Sequence, residues 1–118
     1  MKYALVLALA LGFSIQGLSQ QEPLQLVQTV ALPGVKGRFD HLAVDLKGKR
    51  LFLAAREHKT IEVIDLASGK RIRSIGDIGT PHAEWYVPET NELLVAVGDR
   101  GLCTFLDGST FKVIKNVK

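Results

Sequence analysis

The feature that most restricts this chain is an internal repeat with a period of about 42 residues, which runs from Phe39 to the C-terminal end. The first copy falls into the runs 39–45, 50–55, 60–65 and 70–75, and the second into 80–87, 92–97, 102–107 and 112–115. Leu51 lines up with Leu93, Ala54 with Ala96, Asp65 with Asp107 and Lys70 with Lys112. A one-residue difference in the first turn also aligns His41 with His82. Repeats of this length are single supersecondary units that cannot bury their own faces and must stack to make a core.

Within each copy, short runs of Val, Ile, Leu and Phe alternate with turn formers such as Asp45-Leu46-Lys47-Gly48, Ala67-Ser68-Gly69, Pro88-Glu89-Thr90-Asn91 and Asp107-Gly108-Ser109. No segment after the N-terminal leader sustains a 3.6-residue period, which argues against long helices. Connections this short join antiparallel neighbours, because a parallel crossover needs a dozen residues or more. The expected class is all-β, with four-stranded antiparallel propeller blades at residues 38–78 and 79–118. Residues 24–32, stopped by Pro33-Gly34, look like one more fourth strand, so 20–37 is expected to form an outer strand and linker. A ring takes at least about four blades. The expectation is therefore an incomplete β-propeller, part of a longer protein, with open blade faces prone to self-association; a ring of several copies is the alternative.

Ahead of the repeat, Met1-Lys2-Tyr3 precede the apolar run 4–11, and Gly17-Leu18-Ser19 supplies a small-x-small exit. A positive start, a short apolar core and a small-residue cleavage site are the parts of a secretory signal. Residues 1–19 are expected to be removed on export to the periplasm or beyond the cell, and no later apolar run reaches membrane-spanning length. The formal charge of +3 comes from basic residues scattered over turns rather than from one face with interleaved aromatics, so nucleic acid is not an expected partner. Cys103 is the single cysteine, so no intramolecular disulfide can form, and its apolar run suits a small buried hydrophobe.

The runs Gly37-Arg38-Phe39-Asp40-His41-Leu42-Ala43-Val44-Asp45, Arg50-Leu51-Phe52-Leu53-Ala54-Ala55 and Thr60-Ile61-Glu62-Val63-Ile64-Asp65-Leu66 resemble the YVTN-type β-propeller repeat family. So does Tyr86-Val87-Pro88-Glu89-Thr90-Asn91-Glu92-Leu93-Leu94-Val95-Ala96 in the second copy. The namesake tetrapeptide is replaced by Phe52-Leu53-Ala54-Ala55 and Leu94-Val95-Ala96-Val97. The resemblance implies an exported or cell-surface protein and a larger ring, but not a particular chemistry, since the ring is a scaffold whose sites vary.

Strand alternation sets His41, Ala43 and Asp45 on one face of the first inner strand, and His82, Glu84 and Tyr86 on one face of the second. Imidazoles with carboxylates behind them can bind a ligand or metal, or exchange protons, so His41, His82, Glu84 and Asp45 are the candidate site near the channel mouth. The competing reading gives each histidine a hydrogen bond to a neighbouring loop. Asp65 and Asp107 suit turn-closing roles, and Trp85 and Tyr86 suit packing between blades. No haem-attachment, phosphate-loop, zinc-protease or nucleophile-elbow motif identifies a cofactor. The expected function is an exported binding or protein-interaction scaffold without its own catalysis, meeting a protein partner or the remaining blades. The alternative is part of a metal-binding or enzymatic propeller, oxidoreductase- or lactonase-like.

Overall fold

The computed structural model describes residues 24–118. The expected signal at 1–19 lies outside the described residues. The strands are β1 (Leu42–Asp45), β2 (Arg50–Ala55), β3 (Thr60–Asp65), β4 (Lys70–Ile75), β5 (Pro81–Val87), β6 (Glu92–Val97), β7 (Leu102–Asp107) and β8 (Val113–Val117). They form two four-stranded antiparallel meanders, β1-β2-β3-β4 and β5-β6-β7-β8, broken only by a single 3-10 turn over Gly98–Arg100. Among the described residues no closed ring forms, and they are all-β, two blades of an incomplete propeller.

The sequence repeat is a repeat of register. Val44 pairs with Leu51 as Tyr86 pairs with Leu93, and Phe52 pairs with Val63 as Leu94 pairs with Phe105. Even the ladder irregularities recur, between Val63 and Ile64 and between Phe105 and Leu106. Hairpin turns close on left-handed residues at matching places: Lys49, Lys59 and Gly69 in the first blade, Asn91, Gly101 and Phe111 in the second. A bulky residue seldom adopts positive φ. Phe111 does so at φ 59°, which brings its ring edge-on to Phe52 of the other blade, 6.4 Å between centroids.

The blades stack through Phe52, Ala54, Ile61 and Val63 on one side and Leu93, Val95, Val97 and Leu106 on the other, all buried. Fully burying a side chain of Leu or Phe size contributes about 1.5–3 kcal/mol, so this seam is the source of stability for both sheets. Blade stacking sets which faces of the inner strands are covered: Ala43, Asp45 and Glu84 are buried while Leu42, Val44 and Trp85 are exposed. The polar faces of the two inner strands meet each other across the seam.

Residues 24–32 join neither of the two meanders, and Pro33-Gly34 forms a turn. The segment passes the β3–β4 turn, where Arg71 Nη2 donates to the Pro33 carbonyl at 3.3 Å. One expectation, the alignment of His41 with His82, gives way. His41 accepts from the Ala54 N–H, and Ala83 pairs with Ala96, so the ladder makes Ala83 the counterpart of His41 and His82 that of Asp40. His82 occupies the irregularity between Pro81 and Ala83.

Candidate functional site

The inner strands β1 and β5 run side by side along the seam, and each end carries a cluster of charged groups. At the entry to β1, the carboxylate of Asp40 lies between two imidazoles from different blades. His41 Nδ1 is 2.8 Å from Asp40 Oδ1, and His82 Nδ1 is 3.3 Å from Asp40 Oδ2. The His41 N–H donates to the His82 carbonyl at 3.2 Å, and His41 Nδ1 is 3.1 Å from the same oxygen. The His82 ring lies against Gly98, where any Cβ would collide with it, so the glycine is required by close approach. Asp40, absent from the sequence candidates, is thus the centre of the cluster. Its signal was the Asp-His dipeptide at a strand entrance.

Glu84 lies on the seam-facing side of β5. It is 8% exposed, and neither carboxyl oxygen has a hydrogen-bond partner. Burial, reinforced by the charge of Asp40, pushes its pKa up to about 8, so at neutral pH the group is held as the neutral acid. Beside it, a crevice of about 230 Å³ opens between the inner strands, lined by Leu42, Ala43, Val44, Glu84, Trp85 and Tyr86.

Asp45 belongs to the other end of the seam. It is 3% exposed, and it accepts from Arg50 Nε at 2.9 Å, Arg50 Nη2 at 2.7 Å and the Gly48 N–H at 2.8 Å. Burial alone would raise its pKa, but the Gly48 and Arg50 hydrogen bonds and the Arg50 charge outweigh that and hold it below the ordinary carboxylate value. Arg50 then crosses the seam. Its Nη1 donates to the Gly108 carbonyl, and its guanidinium lies over Phe52 at 5.3 Å and Tyr86 at 5.6 Å. The structure therefore brings His41, His82 and Glu84 into one neighbourhood around Asp40 and removes Asp45 to a separate clasp.

Asp65 accepts from the N–H groups of Ala67 and Ser68, and Asp107 from those of Ser109 and Thr110, each closing its own turn. Cys103 is half-buried on the open face of the second blade rather than inside a core. The buried carboxylate of Glu62, which the sequence reading passed over, accepts from Thr60, Ser74 and Arg71. A cleft of about 400 Å³ among the loops carries charges of both signs from Lys59, Asp77, Asp99 and Arg100. Asp99 is held low there chiefly by the Thr80 N–H. Among the described residues, no three His, Cys, Asp or Glu side chains converge at metal-ligand spacing.

Among solved structures, the chain is similar to hydrazine synthase of Kuenenia stuttgartiensis (TM-score 0.65, 18% identity, 78% of this chain and 26% of that one). It is also similar to apo AztD from Citrobacter koseri (TM-score 0.60, 19% identity, 75% of this chain and 25% of that one). A third likeness is to a protein from Bacteroides caccae described as of unknown function (TM-score 0.56, 19% identity, 65% of this chain and 27% of that one). Propeller architecture is what these likenesses carry, and the chain spans about a quarter of each. No family model and no curated protein matches.

Proposed function

We propose that this chain is part of an exported β-propeller of the YVTN type that acts as a binding module without catalysis of its own, with its ligand or partner side chain seated between β1 and β5. Export rests on the leader at 1–19, and the family on the repeat motifs in both blades. The observation that carries the binding reading is the crevice itself. Its exposed lining is more polar than apolar, with Leu42, Val44 and Trp85 among the side chains around it, and Glu84 in its wall is a buried carboxyl with unused hydrogen-bonding capacity. A concave site on which a few polar groups converge is the general form of a recognition site.

Trp85, the single tryptophan, lines that crevice and supplies the readout. Energy transfer from Trp85 to the apolar probe 1-anilinonaphthalene-8-sulfonate is expected in the native chain and lost in Val44→Glu, which puts a charged side chain into the crevice from an exposed position. Equal transfer in both proteins would sink the reading.

A second reading, metal-assisted or acid–base chemistry in a larger propeller, draws support from the convergence of His41 and His82 on Asp40. It predicts stoichiometric zinc binding by calorimetry that disappears in the His41→Ala and His82→Ala variants. Heat that is absent, or independent of both histidines, rejects it.

A further inference from the structure

Three carboxyl side chains are buried among the described residues, and two of them hold a cation. Asp45 is paired with Arg50 at 2.7 Å and Glu62 with Arg71 at 3.2 Å. The third, Glu84, has no ion-pair or hydrogen-bond partner among the described residues. The charge that acts on it is Asp40, at the entry to β1, which has the same sign. Burial has taken water from this carboxyl and put nothing in its place, so the site is short of positive charge.

Glu84 also lines the crevice of about 230 Å³ between β1 and β5, together with Trp85, which is 71% exposed, and Leu42 and Val44. The other end of the seam shows what such a set of groups takes. There the guanidinium of Arg50 meets the Asp45 carboxylate and lies over the rings of Phe52 and Tyr86, at 5.3 and 5.6 Å. At the Glu84 end a carboxyl and an aromatic ring are present, and no guanidinium of the described residues joins them. Tryptophan offers a cation the most favourable ring face, and Leu42 and Val44 offer surface to an aliphatic stem.

We infer that the crevice takes an organic cation, a guanidinium or alkylammonium head on a short aliphatic stem, which pairs with the Glu84 carboxylate and lies over the Trp85 ring. The inference rests on the crevice reading above and names its ligand class. On binding, the Glu84 O–H bond breaks, the proton passes to solvent, and N–H groups of the cation take its place. The Glu84 oxygens lie beneath the crevice surface, so pairing takes a rotation of the side chain, and the carboxylate is the form that gains by it.

Because a proton leaves, affinity rises roughly tenfold per pH unit up to about pH 8 and levels off above it. Asp40 faces Glu84 from the entry to β1 and carries His41 and His82. Imidazoles gain charge toward acid pH and oppose a cation in the same direction. Tyr86, two positions along β5, is engaged with Arg50 and Asn91. The share of Glu84 is therefore the difference between the native chain and Glu84→Gln.

The probe is n-butylguanidinium, charged at every pH used, titrated calorimetrically in two buffers of different ionisation enthalpy. N-acetyl-arginine amide carries the same head on a peptide unit, and whichever of the two binds more tightly tells a free cation from a partner's side chain. Saturable binding with release of about one proton at pH 7 is expected in the native chain. Glu84→Gln, shown to be folded by circular dichroism, is expected to bind at least about tenfold more weakly, the loss of a charged hydrogen bond. Binding without proton release, binding unchanged in Glu84→Gln, or no saturable binding up to pH 9 overturns the inference. If 1-anilinonaphthalene-8-sulfonate still receives energy from Trp85, only the cation is rejected and the crevice reading stands. Absence of that transfer as well removes both.

Discussion

The two ends of the inter-blade seam solve the same problem differently. Both place a carboxylate where the blades meet and both span the gap with a nitrogen base. At the Arg50 end, the oxygens of Asp45 are met by three donors, and the guanidinium that meets them is also spent on Gly108 and on aromatic faces. At the Asp40 end, two imidazoles share one carboxylate, His41 is largely exposed, and Glu84 lies nearby with no partner. A closed set of donors and acceptors has no capacity left for a ligand, and an open one has. The first end is structural, and the second is where a molecule in the crevice can be recognised.

Breaking the closed end is expected to cost most. Arg50→Met leaves Asp45 buried without its counter-charge, and the loss for such a broken pair is about 3–5 kcal/mol, measured by urea unfolding. A loss no greater than that of an exposed ion pair would erase the distinction between the two ends.

At the open end the sign reverses. Because Glu84 has a folded-state pKa of about 8, against an ordinary value of 4.5, the folded chain holds the proton more tightly than the unfolded chain. The stability this contributes is complete below about pH 4.5 and falls away as pH rises to about 8. Glu84→Gln is expected to flatten that slope and to be the more stable protein at pH 8, by an amount on the order of a few kcal/mol. Parallel pH profiles for the two proteins would show that Glu84 is solvated.

Asp40→Asn sharpens the comparison further. Removing the nearby charge lowers the midpoint of the Glu84 profile toward acid, while the lost imidazole contacts cost about 1 kcal/mol. The smallest effect belongs to His41→Ala. Its side chain is 70% exposed, and an ion pair at such a position is worth about 0–1 kcal/mol. A loss in thermal unfolding comparable to that of Arg50→Met would make the histidine end a clasp of equal rank.

Much of this fold is legible along the chain because its causes are local. Alternating apolar residues set the strands, and short turns set antiparallel pairing and recur every 42 residues, down to the left-handed positions Lys49 and Asn91. The candidate site was legible only in part. His41, His82 and Glu84 are visible as chemistry-bearing residues on or at the entry to the inner strands, but Asp40 is not among the candidates. Asp45 was grouped with them because alternation sets a face and not a position along the seam. His41 and His82 looked like repeat partners because a one-residue irregularity at His82 hides the true register.

By itself, then, the sequence determined strand order, turn placement and the repeat, all consequences of side-chain period and backbone preference over a few residues. Only the tertiary structure decided which face of each inner strand is buried. That follows from stacking one blade on the next, an arrangement encoded in no single strand. The same stacking directs both imidazoles at Asp40, leaves Glu84 without a partner and separates Asp45 from the cluster, because these contacts join residues about 40 positions apart that meet only once the blades are packed.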